Sequence, residues 1–154
     1  MTEQWKNDRL SGQIAFIAEI DKLKNVLRKT FILDRSRFEN TAEHSWQASV
    51  MAMLLYEHAN EPGLDLNRII RMLLLHDIVE IDAGDTFAYD TQGYEDKEER
   101  EQAAANRLFG MLPDDQKVEW MQLWREFEDG ETMEAKYAAA IDRLHPGINN
   151  YYTG

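Results

Sequence analysis

Four polar residues sit inside apolar, helix-patterned stretches of this chain: His44, the adjacent pair His76 and Asp77, and Asp142. Burying an imidazole or a carboxylate is unfavourable unless a partner compensates it, and one divalent cation compensates all four together. The set therefore reads as a single metal site. There is no cysteine, so the ligands must be nitrogen and oxygen, and neither a disulfide framework nor a thiolate site is available. Such a donor set suits Mn, Fe, Co, Ni or Zn, selected by geometry and supply. One ion with open positions for water and substrate is expected. Any one of these residues alone would be unremarkable, since a lone histidine on a helix is more often a hydrogen-bonded core or surface residue than a ligand.

The elements that must position these groups are helical. Phe16, Ile20, Leu23 and Leu27 recur at helical spacing, predicting a first core helix from about Ser11 to Arg28. Lys29 to Glu39 breaks the pattern and reads as a partly packed connection. Asn40, with Glu43 three residues on, offers a capping box for a helix from Thr41 to about Asn60. Asp65 can cap the most apolar segment, Leu66 to Glu80, which should be the central helix. Gly84 ends it, and Asp85 to Gly93 has turn composition. A charged helix follows from Tyr94 to Met111. Another starts at Pro113 and stops at Gly130, and a last one, capped by Thr132, runs to about Leu144 before Pro146 and Gly147. No β-hairpin signal, repeat or linker is evident, so the expectation is an all-α single domain, a bundle of about six helices.

On this layout His44 lies in the first turn of the second helix, His76 and Asp77 near the end of the central helix, and Asp142 near the end of the last. Three helices would converge on one ion. His58, fourteen residues beyond His44 on the same predicted helix, would stand about 21 Å away along the axis and cannot share it. His145 is one turn from Asp142, where it could support a ligand or simply occupy a helix end.

Size and charge narrow the function. A chain of 154 residues can bury a core without staples. The formal charge is -12, with basic residues scattered among acidic ones. This argues against polymeric nucleic acid and anionic membrane as partners. A small anionic ligand remains compatible, because a bound cation and one or two local basic groups can reverse the field of a pocket. No apolar run is long enough to span a bilayer, and Met1 to Leu10 lacks the layout of a secretory signal, so a cytoplasmic protein is expected.

The H…HD…D arrangement resembles the HD-domain metal-dependent phosphohydrolase superfamily. Glu39-Asn40-Thr41-Ala42-Glu43-His44-Ser45 is similar to the first-histidine motif of its 5′-deoxynucleotidase branch, and the segment from His76 to Asp85 is similar to that branch's HDxxExxxGD signature. The resemblance runs from about Leu27 to the end. It implies an all-helical HD domain, metal ligands at His44, His76, Asp77 and Asp142, a catalytic carboxylate at Glu80 and a sugar-contacting carboxylate at Asp85. It also implies a phosphate-clamping basic residue upstream of the first motif. Ungapped counting from His44 points to Lys29 and a one-residue gap to Arg28, with Arg35 and Arg37 also nearby. Relatives usually continue well beyond the last aspartate, so the expectation is that either the sequence is short of a C-terminal segment or the far wall of the pocket is reduced, and a homodimer is common among them.

Spacing supports Glu80 independently, because it follows His76 by four residues and Asp77 by three and so shares their helix face. It is the expected general acid/base. The reaction implied is release of phosphate from a small phosphomonoester, with deoxyribonucleoside 5′-monophosphates as the first candidates. Two other readings compete. One is a helical binding module braced by the metal. The other is an HD-type di-iron oxygenase, which would need further ligands from His58 and His145.

Overall fold

The computed structural model describes residues 9–85 and 91–154. It contains α1 (Arg9–Ile20), β1 (Leu27–Phe31), β2 (Phe38–Asn40), α2 (Thr41–Leu54), α3 (Leu66–Leu75), the four-residue α4 (Glu80–Ala83), α5 (Lys97–Phe109), α6 (Asp114–Asp129) and α7 (Met133–Thr153). Six helices of eight residues or more carry the architecture, as the periodicity predicts. The expected turn over Asp85 to Gly93 and the N-terminal stretch Met1 to Leu10 lie partly outside the described residues.

The apolar run of α3 is central because α2, α6 and α7 all pack on it. Ile69, Met72 and Leu73 are fully buried there, meeting Phe16, Leu108, Phe109, Leu123, Trp124 and Ile141 from the surrounding helices. Each side chain of this size stabilises the fold by about 1.5–3 kcal/mol when withdrawn from water. Ala135 and Ala138 are also fully buried, and their small side chains let α7 lie close to α3.

The predicted caps form. The Asn40 side chain accepts from the Glu43 backbone N–H while the Glu43 carboxylate accepts from the Asn40 N–H, a complete capping box. Asp65 accepts from the Arg68 N–H and Thr132 from the Ala135 N–H. Gly130 ends α6 at φ 63°, a left-handed conformation that a glycine takes without strain.

Five expectations are corrected. The connection from Lys29 to Glu39 is largely an antiparallel hairpin, with Leu27 opposite Asn40 and Phe31 opposite Phe38. Its turn carries no Asn-Gly or Asp-Gly signal; Arg35 takes φ 62° and Asp34 Oδ1 accepts from the Ser36 N–H. Stacking of Phe31 on Phe38, 4.4 Å between ring centroids, holds the arms together. The hairpin also shortens the first helix, which ends at Ile20 and passes through the 3₁₀ turn Asp21–Asn25 into β1.

The second helix stops at Leu54, and His58 sits on a separate 3₁₀ turn, Tyr56–His58, with its side chain in solvent. The central helix is not continuous to Glu80: His76–Val79 tightens into a 3₁₀ turn before α4. There the Leu73 carbonyl, which an unbroken helix would offer to the N–H of Asp77, accepts from His76 Nδ1 at 2.9 Å.

The last helix does not stop before Pro146 but continues through it to Thr153. Proline removes the N–H that would bond the Asp142 carbonyl and normally breaks a helix. Here the buried stripe Ala138, Ile141, His145 and Asn149 continues across it, and Asn149 Nδ2 reaches the Phe31 carbonyl on β1. Tertiary burial outweighs the local penalty.

Candidate metal centre

The capping box fixes where α2 begins, and its first buried stripe, Thr41, His44, Ser45 and Ala48, faces inward. His44 is fully buried. The 3₁₀ turn after α3 turns His76 and Asp77 toward it, and α7 brings Asp142 from the other side. His44 Nε2 lies 2.7 Å from Asp142 Oδ1, His76 Nε2 lies 3.2 Å from both Asp142 Oδ1 and Asp77 Oδ1, and Asp77 Oδ2 is 3.8 Å from His44 Nε2. One donor atom from each of the four residues falls within a 4.8 Å cluster. All four predicted ligands are brought together.

The donors suit a metal ion. His76 Nδ1 donates to the Leu73 carbonyl, which leaves Nε2 with its lone pair aimed into the cluster. Both His76 Nε2 and Asp77 Oδ2 are buried without a hydrogen-bond partner among the described residues. The 3.2 Å separations would suit donors that share one ion, and the 2.7 Å contact of His44 Nε2 with Asp142 Oδ1 would open to admit it. The field is suited too. Burial would lower the pKa of His76, but the charges of Asp77 and Asp142 overturn it and push it up to about 10. Burial would raise Asp142, yet the two histidines hold it far below the ordinary carboxylate range. A field that so favours positive charge attracts a divalent cation for the same reason.

Glu80 sits beside the cluster and is buried, with Oε2 accepting from the Thr41 hydroxyl at 2.8 Å. The 3₁₀ geometry stacks it over Asp77, three residues before. Burial, then the charges of Asp77 and Asp85, push its pKa well above the usual value, while Thr41 and Arg28 pull the other way. A carboxyl raised in this way holds a proton more readily than an ordinary glutamate, as a group that both accepts and returns one requires. Gly84 follows at φ 77°, turning the chain so that Asp85 points back to the site, where its Oδ1 lies 3.6 Å from Arg28 Nη1.

Of Arg28, Lys29, Arg35 and Arg37, Arg28 alone faces the cluster. Strand alternation places Arg28 inward and Lys29 on the exposed side of β1. Arg37 pairs with Glu43 at the surface, and Arg35 lies in the exposed hairpin turn. Arg28 Nε donates to Glu39 Oε1 at 3.0 Å, and Nη1 is 3.9 Å from Asp77 Oδ2. Burial works against its charge, but Asp77, Asp85, Glu80 and Glu39 keep it firmly protonated.

Sequence reasoning missed Thr41 and Glu39 and left His145 undecided. Thr41 precedes His44 by three residues on the same face, a signal that was present. Glu39 becomes visible only once the hairpin is known, because it faces Arg28 across the strands. His145 is fully buried, with Nδ1 2.6 Å from His44 Nδ1, so it occupies the interior and not a helix end.

The profile of the HD domain family matches residues 20–154, which include every residue of the cluster. This chain belongs to the HD-domain family. The HD domain described here is similar to the 5′-deoxynucleotidase HDDC2 of Xenopus laevis, 34% identical over 131 residues, which covers 84% of this chain and 63% of that protein. It is 30% identical to the human 5′-deoxynucleotidase HDDC2 over 84% of this chain and 62% of that protein. The chain thus spans somewhat less than two thirds of these relatives. Among solved structures it is similar to a predicted metal-dependent phosphohydrolase from Magnetospirillum magnetotacticum, with 54% identity, a TM-score of 0.89 and coverage of 94% of this chain and 72% of that one. A conserved hypothetical protein from Pyrococcus furiosus is similar at 25% identity and a TM-score of 0.72, over 90% of this chain and 78% of that one. No helix among the described residues of the HD domain is long and apolar enough to cross a membrane.

Proposed function

We propose that this HD domain is a metal-dependent phosphomonoesterase acting on small nucleotides, with deoxyribonucleoside 5′-monophosphates as its substrates. The observation that carries the reading is the convergence of two histidine nitrogens and two carboxylates within 4.8 Å, flanked by buried Glu80 and inward-facing Arg28. Similarity to 5′-deoxynucleotidases at 30–34% identity supports the substrate class.

In this reading His44, His76, Asp77 and Asp142 hold one divalent ion, Mn, Fe, Co, Ni or Zn. When bound, the ion supplies Lewis acidity at a phosphoryl oxygen and lowers the pKa of water. Thr41 fixes the rotamer of Glu80, which takes a proton from the attacking water and can return it to the leaving alkoxide. Arg28 neutralises the phosphate with a fork of N–H donors. Asp85 accepts a hydrogen bond from a sugar hydroxyl. Lys29, on the outer face of the strand, adds long-range attraction at most.

The competing readings lack such support. A metal that only braces helices gives no reason for burying Glu80 beside it. A di-iron oxygenase needs ligands that His58, in solvent, and His145, engaged by His44, do not offer. A homodimer is carried over from the family resemblance, and sedimentation checks it. Phosphate release from nucleoside monophosphates, assayed with each metal in turn, tests the activity; no release with any metal would overturn it.

A further inference from the structure

His145 belongs to none of the roles above, yet it is one of the most buried polar residues in the molecule. Its ring lies 4.8 Å from that of His44, centroid to centroid and inclined by 25°, and the two Nδ1 atoms are 2.6 Å apart. Glu39 closes the group: its Oε1 is 3.6 Å from His44 Nδ1 and its Oε2 is 3.8 Å from His145 Nε2. These three residues also have the composition of a metal site, but the distances favour a hydrogen bond. Two nitrogens on one ion at bonds of about 2.0–2.1 Å would stand roughly 3 Å or more apart. A contact of 2.6 Å is one N–H shared between two nitrogens.

Only one of the two Nδ1 atoms can carry that hydrogen, and the metal decides which. This step rests on His44 being a ligand. If His44 Nε2 turns its lone pair to the ion, its Nδ1 must carry the proton and donate it. His145 Nδ1 then accepts, so the His145 proton sits on Nε2, facing the Glu39 carboxylate whose other oxygen is held by Arg28.

We propose that His145 is a positioning residue for the metal centre: as a neutral Nε2–H tautomer it accepts from His44 Nδ1–H and locks His44 with Nε2 toward the metal. Partners of this kind typically govern ligand orientation and metal affinity by about 10- to 100-fold. The chemistry asks only for an acceptor at this point, so a glutamine should serve and an apolar residue of similar size should not.

The test measures zinc affinity by chelator competition in the full chain for wild type, His44→Ala, His145→Gln and His145→Leu, with melting of the stripped proteins as a fold control. His44→Ala should abolish tight binding. His145→Leu should weaken it roughly 10- to 100-fold and His145→Gln should restore most of the loss. In the zinc-loaded wild type, long-range proton–nitrogen NMR of the histidine rings should show Nδ1–H on His44 and Nε2–H on His145. Should His44→Ala bind zinc as wild type does, the ligand assignment fails and this inference with it. Should His44→Ala lose zinc while His145→Leu keeps full affinity, or should His145 carry its proton on Nδ1, the ligand assignment stands and the positioning role is overturned.

Discussion

Thr41 Oγ1 donates to Glu80 Oε2 across 2.8 Å, joining the start of α2 to the turn that follows α3. The two residues are 39 apart in sequence, and this bond holds the proposed acid/base in one rotamer beside the proposed metal ligands. Thr41→Val keeps the shape and removes the donor. It should lower kcat for phosphate release by roughly 10- to 100-fold, the usual cost of a misplaced catalytic group. Thr41→Ser should retain most activity. Steady-state kinetics on the two variants checks this, and equal turnover would show that Thr41 does not position Glu80.

The clamp assignment separates two neighbouring residues. Arg28 faces the cluster and Lys29 faces solvent. Losing a hydrogen bond to a charged group costs about 1.5–3 kcal/mol, so Arg28→Ala should lower kcat/KM roughly 10- to 150-fold, whereas Lys29→Ala should change it less than about twofold. A larger loss in the Lys29 variant would reverse the assignment.

Stripping the metal should destabilise the fold, because four mutually dependent ligands then face each other unsupported. At an ion concentration about 100 times its dissociation constant the bound ion contributes about 2.7 kcal/mol, which for a domain of this size is roughly 5–10 °C in Tm. Calorimetry before and after chelation, with readdition of Mn, Co or Zn, reads this directly. No shift on stripping and none on readdition would contradict a site that binds only the folded state.

Glu128, near the end of α6, gives a pH signature at a residue outside the proposed ligand set. Burial, then the charge of Glu101, push its pKa up to about 7 against the pull of Lys97 and His76, with Asp77 adding to the rise. An acid whose folded pKa is raised binds more protons folded than unfolded, so stability falls as pH rises from about 4.5 to about 7. Glu128→Gln should therefore raise Tm at pH 8 and leave it unchanged near pH 4. The side chain is exposed to solvent, so screening should keep the gain small. A variant less stable than wild type at pH 8 would contradict the sign.

The helices and the clustering of His44, His76, Asp77 and Asp142 were legible in the sequence because both rest on strong local signals. Asn40 with Glu43, Asp65, Thr132 and Gly130 each mark an end that the backbone adopts. The hairpin was not legible: its arms carry Arg28, Lys29 and Glu39, its turn uses Arg35 at positive φ, and its stability comes from one aromatic stack and from α7 packed on β1. The continuation of α7 past Pro146 was hidden for a related reason. Propensity argues for a stop, and only the buried His145 and Asn149, visible in three dimensions, argue against it.

In the proposed reaction Glu80 moves a proton for a hydrolysis that needs the metal. Glu80→Gln keeps the shape of the side chain and the hydrogen bond from Thr41. The decisive measurement is phosphate release from a panel of deoxyribo- and ribonucleoside 5′-monophosphates, by wild type and this variant, each with its bound metal counted. Wild type should show metal-dependent release, highest on deoxyribonucleotides. The variant should fall by roughly 10²- to 10⁴-fold with its metal still bound. Undiminished release by a metal-loaded Glu80→Gln protein would contradict this role of Glu80.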